Sequence, residues 1–381
     1  MGPGDAVRVR AIDQLRGVAV LAVLLHHAPM GWSGAPSPPH WLRDVTAFGR
    51  YGVNLFLVIS GFCIHMAWAR QRDISARPAY ASFWRRRLRR LYPPYAAAIA
   101  LTAGCVMSTA LLWGGPLVGI ASWFGYESRR LLLTDIVVML LLLQNLTLAA
   151  FRFGNGAFWT LALEEQLYAL YFPFLGLRRR WGLAAALGLT ASVAIVWRLV
   201  NVRAQMPEWW DFVGPARWME WVLGAVAVER FVAARERASS AAVAVAIAVV
   251  AGAILLDPYA GLLPVAATGM LSRRALQDSL VGIACFVVVD VSCRRGLGSP
   301  RRSHAAGGLL AHLGTVSYSL YLVHGPVMNL ALRAANACGV RSVIALLAAR
   351  IGASLVVAEV FHRFVEVRFL TRRSPSQVVL S

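Results

Sequence analysis

Apolar residues gather along this chain into runs of about 20, the length a helix needs to cross some 30 Å of hydrocarbon, with polar punctuation between them. The runs predict spans at residues 14–31, 50–69, 94–113, 157–176, 181–200, 212–229, 240–256, 275–291, 308–330 and 342–362. The expected fold is all-α: a polytopic integral membrane protein with about ten transmembrane helices, eleven being the alternative. It is read as one domain over 1–381, with 1–10 and 371–381 as short tails. Two further apolar stretches disturb the count. A full crossing by 131–150 would push Arg178 to Arg180 outside, and a re-entrant or tilted segment packed against protein restores the parity. The shorter 259–270, interrupted by Pro264 and Gly269, is read as non-crossing.

Composition agrees with a lipid solvent: 58% of residues are hydrophobic, 15% are charged, and the mean hydropathy is +0.60. The net charge of +20 invites a nucleic-acid partner, yet the basic clusters at 70–90, 178–180, 229–238, 294–302 and 368–373 sit at span ends. That distribution marks cytoplasmic loops, places both termini in the cytoplasm of a multi-pass cell-membrane protein, and argues for contact with lipid rather than nucleic acid. No small-residue cleavage site follows the first apolar run, so it reads as an uncleaved span. The five cysteines show neither CxxC nor metal spacing. No repeat period is visible, and nothing fixes an oligomeric state.

Chemistry concentrates in a few interruptions of the apolar pattern. Arg16 and His27 are eleven residues apart, about 16 Å and three turns, so one helix face carries both. Ionisable groups at membrane depth face the protein interior or a wet pathway. An imidazole trades protons near neutral pH, which makes His27 a candidate general base, while Arg16 is a candidate anion clamp. His26 points about 100° away and suits a structural hydrogen bond or an interface position near the outer surface. In the second span, Ser60-Gly61 suits close helix packing and Asn54 could bond across to a neighbour.

"FWRRRLRRLYPPY" (83–95) places Arg85, Arg86, Arg89 and Arg90 at spacings of three and four with Arg87 pointing elsewhere; Pro93-Pro94 predicts a break or new helix start. Guanidinium density suits phosphate contacts, anionic lipid or topology alone. In "FWTLALEEQLYALYFP" (158–173), Glu164 shares a helix face with Tyr168 and reads either as half of a Glu–Arg pair or as a group that positions the histidine or substrate. "SYSLYLVHGPV" (317–327) brings Tyr318, Tyr321 and His324 into one helix, His324 either lining a cavity or bonding across helices. Glu366 between Arg363 and Arg368 reads as a local ion-pair anchor. The motifs HHxxxDG, GxSxG, GxxxxGK and HExxH are absent, and the scattered histidines give no metal spacing.

In this order across separate spans, the segments resemble the membrane-bound acyltransferase 3 family, which includes polysaccharide and antibiotic O-acyltransferases. The resemblance covers about 10–370. It implies acyl-CoA as donor, acetyl-CoA by default and without a metal, and transfer to a hydroxyl of a glycan, glycoside or natural product. It maps the family's histidine onto His27, its glutamate onto Glu164, and its basic donor-binding positions onto Arg16, Arg85, Arg86, Arg89 and Arg90. Asn54 stands where the family usually has Asp. Asn54, Tyr318 and His324 are the candidates for substrate or oxyanion contact. The alternatives are a proton-coupled transporter or flippase for a glycan or small molecule, and a non-enzymatic membrane subunit. Trp209, Trp210 and Trp218 suit an interfacial belt or sugar stacking.

Overall fold

The computed structural model describes residues 9–32, 36–71, 80–113, 133–146, 157–204, 206, 208–234, 236–255, 270–296 and 305–370, and every regular element among them is helical. In chain order they are α1 Arg10–His27, α2 His40–Ala47, α3 Gly52–Ala69, α4 Tyr80–Trp113, α5 Leu133–Leu140, α6 Trp159–Arg203, α7 Gly214–Ala233, α8 Ser240–Leu255, α9 Met270–Arg295, α10 Ala305–Thr315, α11 Ser317–Ala337 and α12 Val343–Phe361. A five-residue π-helical turn, His362–Glu366, follows α12.

Among the described residues, four helical segments are long and apolar enough to cross a membrane: His40–Ala69, Tyr80–Trp113, Trp159–Asn201 and Val343–Phe369. Ten were expected, and two physical features account for three of the missing six. First, α1 and α7 are 18 and 20 residues long but carry charged groups on faces turned into the protein, so mean apolarity understates them. Second, α6 is not straight. A continuous 45-residue helix would extend about 67 Å. Yet Trp159 near its start packs on Phe212 at 4.6 Å between ring centroids, and Trp197 near its end stacks on Trp210 at 5.6 Å. The chain therefore doubles back, and it does so at Gly182, whose φ of 85° is open to glycine and strained for other residues. The two arms, about 20 residues each, match the separate spans expected at 157–176 and 181–200.

In contrast, the break expected at Pro93-Pro94 is absent: α4 runs through both prolines. Pro94 and Tyr95 are buried, so packing holds the helix where the prolines remove backbone donors. Within 131–150, the described part is α5, only eight residues, followed by a turn at Leu142 and the buried pair Gln144-Asn145. Tyr92 and Tyr95 donate to the carbonyls of Leu140 and Met139, while Gln144 and Asn145 donate to those of Phe158 and Trp159. Carbonyls at the end of α5 and the start of α6 are thus satisfied by protein side chains. The stretch 259–269 lies outside the described residues.

α3 is the innermost of the four apolar segments, and α4, α6 and α12 form the rim. Its contact with α7 depends on two glycines: a Cβ on Gly61 would meet the Trp221 carbonyl oxygen at 1.9 Å, and one on Gly224 the Val58 carbonyl oxygen at 2.0 Å. Small residues let these backbones touch, as the Ser60-Gly61 pair led us to expect.

Candidate active site

At the arginine-rich end of the bundle, α1, α3, α4, α6, α11 and the π-helical turn enclose a cavity of about 350 Å³. Arg16, Arg87, Arg90, Glu164, Tyr168 and Tyr318 are among the residues that line it. On α4 the stripe Phe83, Arg87, Arg90, Pro94 follows helical spacing and turns inward, while Arg85, Arg86 and Arg89 are exposed. Of the four elbow arginines anticipated, only Arg90 reaches the cavity, and Arg87, expected to point elsewhere, joins it. The inward face is set by buried Phe83 and Pro94, and the spacing of the arginines among themselves carries no information about it. Arg87 lies over the rings of Phe83 and Tyr168, 5.7 and 5.6 Å from their centroids. The Nε atoms of Arg87 and Arg90 are buried without hydrogen-bond partners. Among the described residues, Arg16 donates only a long contact, 3.6 Å, to the Cys63 sulfur.

Glu164 is held by hydroxyls. Ser60 donates to its Oε1 at 3.0 Å, Tyr168 one turn on donates to the same oxygen, and Trp221 Nε1 donates to Ser60 at 3.3 Å. Neither a Glu164–Arg ion pair nor a contact between Glu164 and His27 is present among the described residues. Tyr318 donates to the Leu91 carbonyl at 2.8 Å and pins α4 to α11 beside the cavity. Glu366, read as an anchor for Arg363 and Arg368, instead accepts from Ser319 at 2.5 Å and sits 2.8 Å from His362 Nδ1 at the cavity wall. Arg363 pairs with Glu359. The π-helical turn moves Glu366 inward, which a regular helical wheel could not reveal.

His27 closes α1 beyond the far side of this cavity. Its Nδ1 lies 2.9 Å from the Val23 carbonyl and 3.3 Å from His324 Nε2, and the two rings are 5.0 Å apart. The Nδ1 of His324 faces the carbonyls of Leu320 and Tyr321, at 3.1 and 2.9 Å. Each ring therefore holds its proton on Nδ1 toward carbonyl oxygen, which sets the lone pair of His27 on Nε2. His26 makes the structural bond expected of it, from Nδ1 to the Thr46 carbonyl at 3.1 Å. The imidazole beside His27 is thus His324, in the place anticipated for Glu164.

Tyr321 stands between the two regions. It lines the cavity, its hydroxyl is 2.8 Å from that of Thr160, and its ring is 5.9 Å from that of His324.

Asn54 belongs elsewhere. It lies about 120° around α3 from Ser60 and donates to Glu220 Oε2 at 3.1 Å. Glu220 also meets Arg198 and Arg217, each at 3.0 Å, and Arg217 reaches Asp278 at 2.7 Å. Glu220 thus already accepts from two guanidiniums and the Asn54 amide, and an aspartate at position 54 would replace that amide donor with a second carboxylate beside it. Trp210 is stacked on Trp197 and Trp218 is buried in the core, so both are packing groups.

The family model described as "Acyltransferase domain" matches residues 9–359. The chain is 27% identical to the acyltransferase MdmB of Streptomyces mycarofaciens, over 98% of this chain and 95% of that protein. It is 27% identical to a Komagataeibacter xylinus protein named for membrane-bound transacylase activity, BcsY, over 84% of this chain and 72% of the relative. A Staphylococcus aureus protein named for O-acetyltransferase activity matches at 27% identity over 44% of this chain and 24% of its own length. No solved structure matches. With the family model spanning most of its length, the chain belongs to the acyltransferase 3 family of membrane-bound O-acyltransferases.

Proposed function

We propose that this protein transfers an acyl group, acetyl by default, from acyl-coenzyme A to a hydroxyl of a sugar, glycoside or antibiotic-like natural product, with His27 as general base. The observation that carries the reading is the alignment of a cavity with three guanidiniums, Arg16, Arg87 and Arg90, and a hydrogen-bonded His27–His324 pair just past its Tyr321 wall. The arginines suit the donor's phosphates. A volume of about 350 Å³ suits an extended thioester arm, with the nucleotide outside near exposed Arg85, Arg86 and Arg89.

In the reaction, His27 Nε2 takes the acceptor's hydroxyl proton as oxygen bonds to the thioester carbonyl carbon. The carbon–sulfur bond then breaks, and the thiolate leaves with the proton from the imidazolium. His324 Nε2 accepts from His27 Nδ1–H and supports the cation as it forms, as a triad's third member does. Glu164, fixed by Ser60 and Tyr168, shapes the donor's path. We place the arginine-rich end and both termini in the cytoplasm of a ten-span cell-membrane protein, so that the donor enters from inside and the acceptor meets His27 from the other side.

The test is incubation of the purified protein with radiolabelled acetyl-coenzyme A and a panel of hydroxylated acceptors. His27→Ala should lower transfer by about 10²–10⁴-fold while the protein stays folded. Undiminished transfer removes His27 from the chemistry.

A further inference from the structure

Arg350 on α12 is buried, 2% exposed, and takes no part in the chemistry above. Its Nη2 donates to the Met30 carbonyl at 2.8 Å, whereas Nε and Nη1 are buried with no hydrogen-bond partner. No carboxylate lies within ion-pair range of it among the described residues. The Trp32 ring lies across the guanidinium, 5.6 Å from its central carbon, and is steadied by a bond from Nε1 to the Pro36 carbonyl at 2.8 Å. This group adjoins the candidate base: the Met30 N–H donates to the His27 carbonyl at 3.1 Å.

A guanidinium stays charged at any physiological pH, and burying it with donors unspent is costly. The bond to Met30 does not account for that cost, because a neutral amide could make it. The unspent donors call for an anionic oxygen, and the indole beside them offers a flat face of the kind sugar rings stack on.

We infer that Arg350 and Trp32 form an anion-binding subsite for the acceptor, which takes a carboxylate or phosphoryl group carried on a sugar or sugar-like ring. The ring stacks on the indole, the anion meets Nε and Nη1, and the hydroxyl to be acylated is directed toward His27. Entry requires the indole to swing from the guanidinium, and Gly31 beside it, at φ 59°, gives that turn its conformation. Its assignment to the acceptor rests on the transfer reading above, but the anion preference does not and is measurable without turnover.

The experiment uses the full chain in nanodiscs of zwitterionic lipid and compares binding of methyl glucoside, methyl glucuronide and glucose 1-phosphate. At least one anionic sugar should bind about tenfold or more tightly than the neutral one, the gain expected of a charge-assisted bond. The pair of anionic probes tells carboxylate from phosphoryl. Arg350→Gln should bring the anionic sugars down to the neutral sugar's affinity. His27→Ala should keep the preference, so that a failure of the transfer chemistry leaves this result readable. No preference in the wild type, or the same preference in Arg350→Gln, overturns the subsite. Should Arg350→Gln not fold, Arg350→Lys keeps the charge and must weaken the anionic sugars more than the neutral one; an equal change overturns it.

Discussion

His27 and His324 come from positions 297 residues apart and meet through one hydrogen bond. If His324 supports the imidazolium, His324→Ala should lower kcat by roughly tenfold or more, less than His27→Ala, with KM for the donor unchanged. A rise in donor KM with kcat intact would make His324 a packing residue of the donor site. At this scale the sequence showed the groups but not their partners. Arg16, His27 and Glu164 stood out because ionisable side chains are costly in apolar helices. That Glu164 would face Ser60 and Tyr168, and that Asn54 would donate to Glu220, depends on which helices are neighbours, and no local pattern encodes that.

Helices sort these residues by face. Arg87 and Arg90 share the buried stripe of α4 with Phe83 and Pro94, so replacing both by Gln should raise donor KM by about tenfold or more, while replacing exposed Arg85, Arg86 and Arg89 should act less and lose its effect in high salt. Equal effects of the two sets would show that the cavity does not hold the phosphates. Between α3 and α7, Gly61→Ala forces a methyl group into a backbone carbonyl and should cost about 1–3 kcal/mol or more, read as a lowered unfolding temperature in detergent. An unchanged temperature would mean that the two helices can part without loss. The apolar runs foretold most helices. The prolines of α4 misled because packing outweighed the missing donors, and the π-helical turn that brings Glu366 to the cavity wall has no signature in a 3.6-residue pattern.

At the scale of the whole molecule, the cavity and the arginines of α4 lie toward one end among the described residues, and the His27–His324 pair lies toward the other. The cytoplasmic placement of the arginine-rich end has a direct check, because exposed Cys338 follows α11 at the opposite end, whereas Cys63, Cys105 and Cys293 are buried. A membrane-impermeant maleimide should label Cys338 on intact cells, and labelling only after lysis would invert the orientation. The Tyr321 ring bears on how such an enzyme would handle a reactive guest. A thioester waiting in the cavity would be set apart from water arriving past the histidines by a wall that includes this phenol and the Phe56 ring packed on it. Rotation of the phenol would then act as an airlock, opening the thioester to attack when an alcohol is in place and sparing the acyl group from wasteful hydrolysis in the interval.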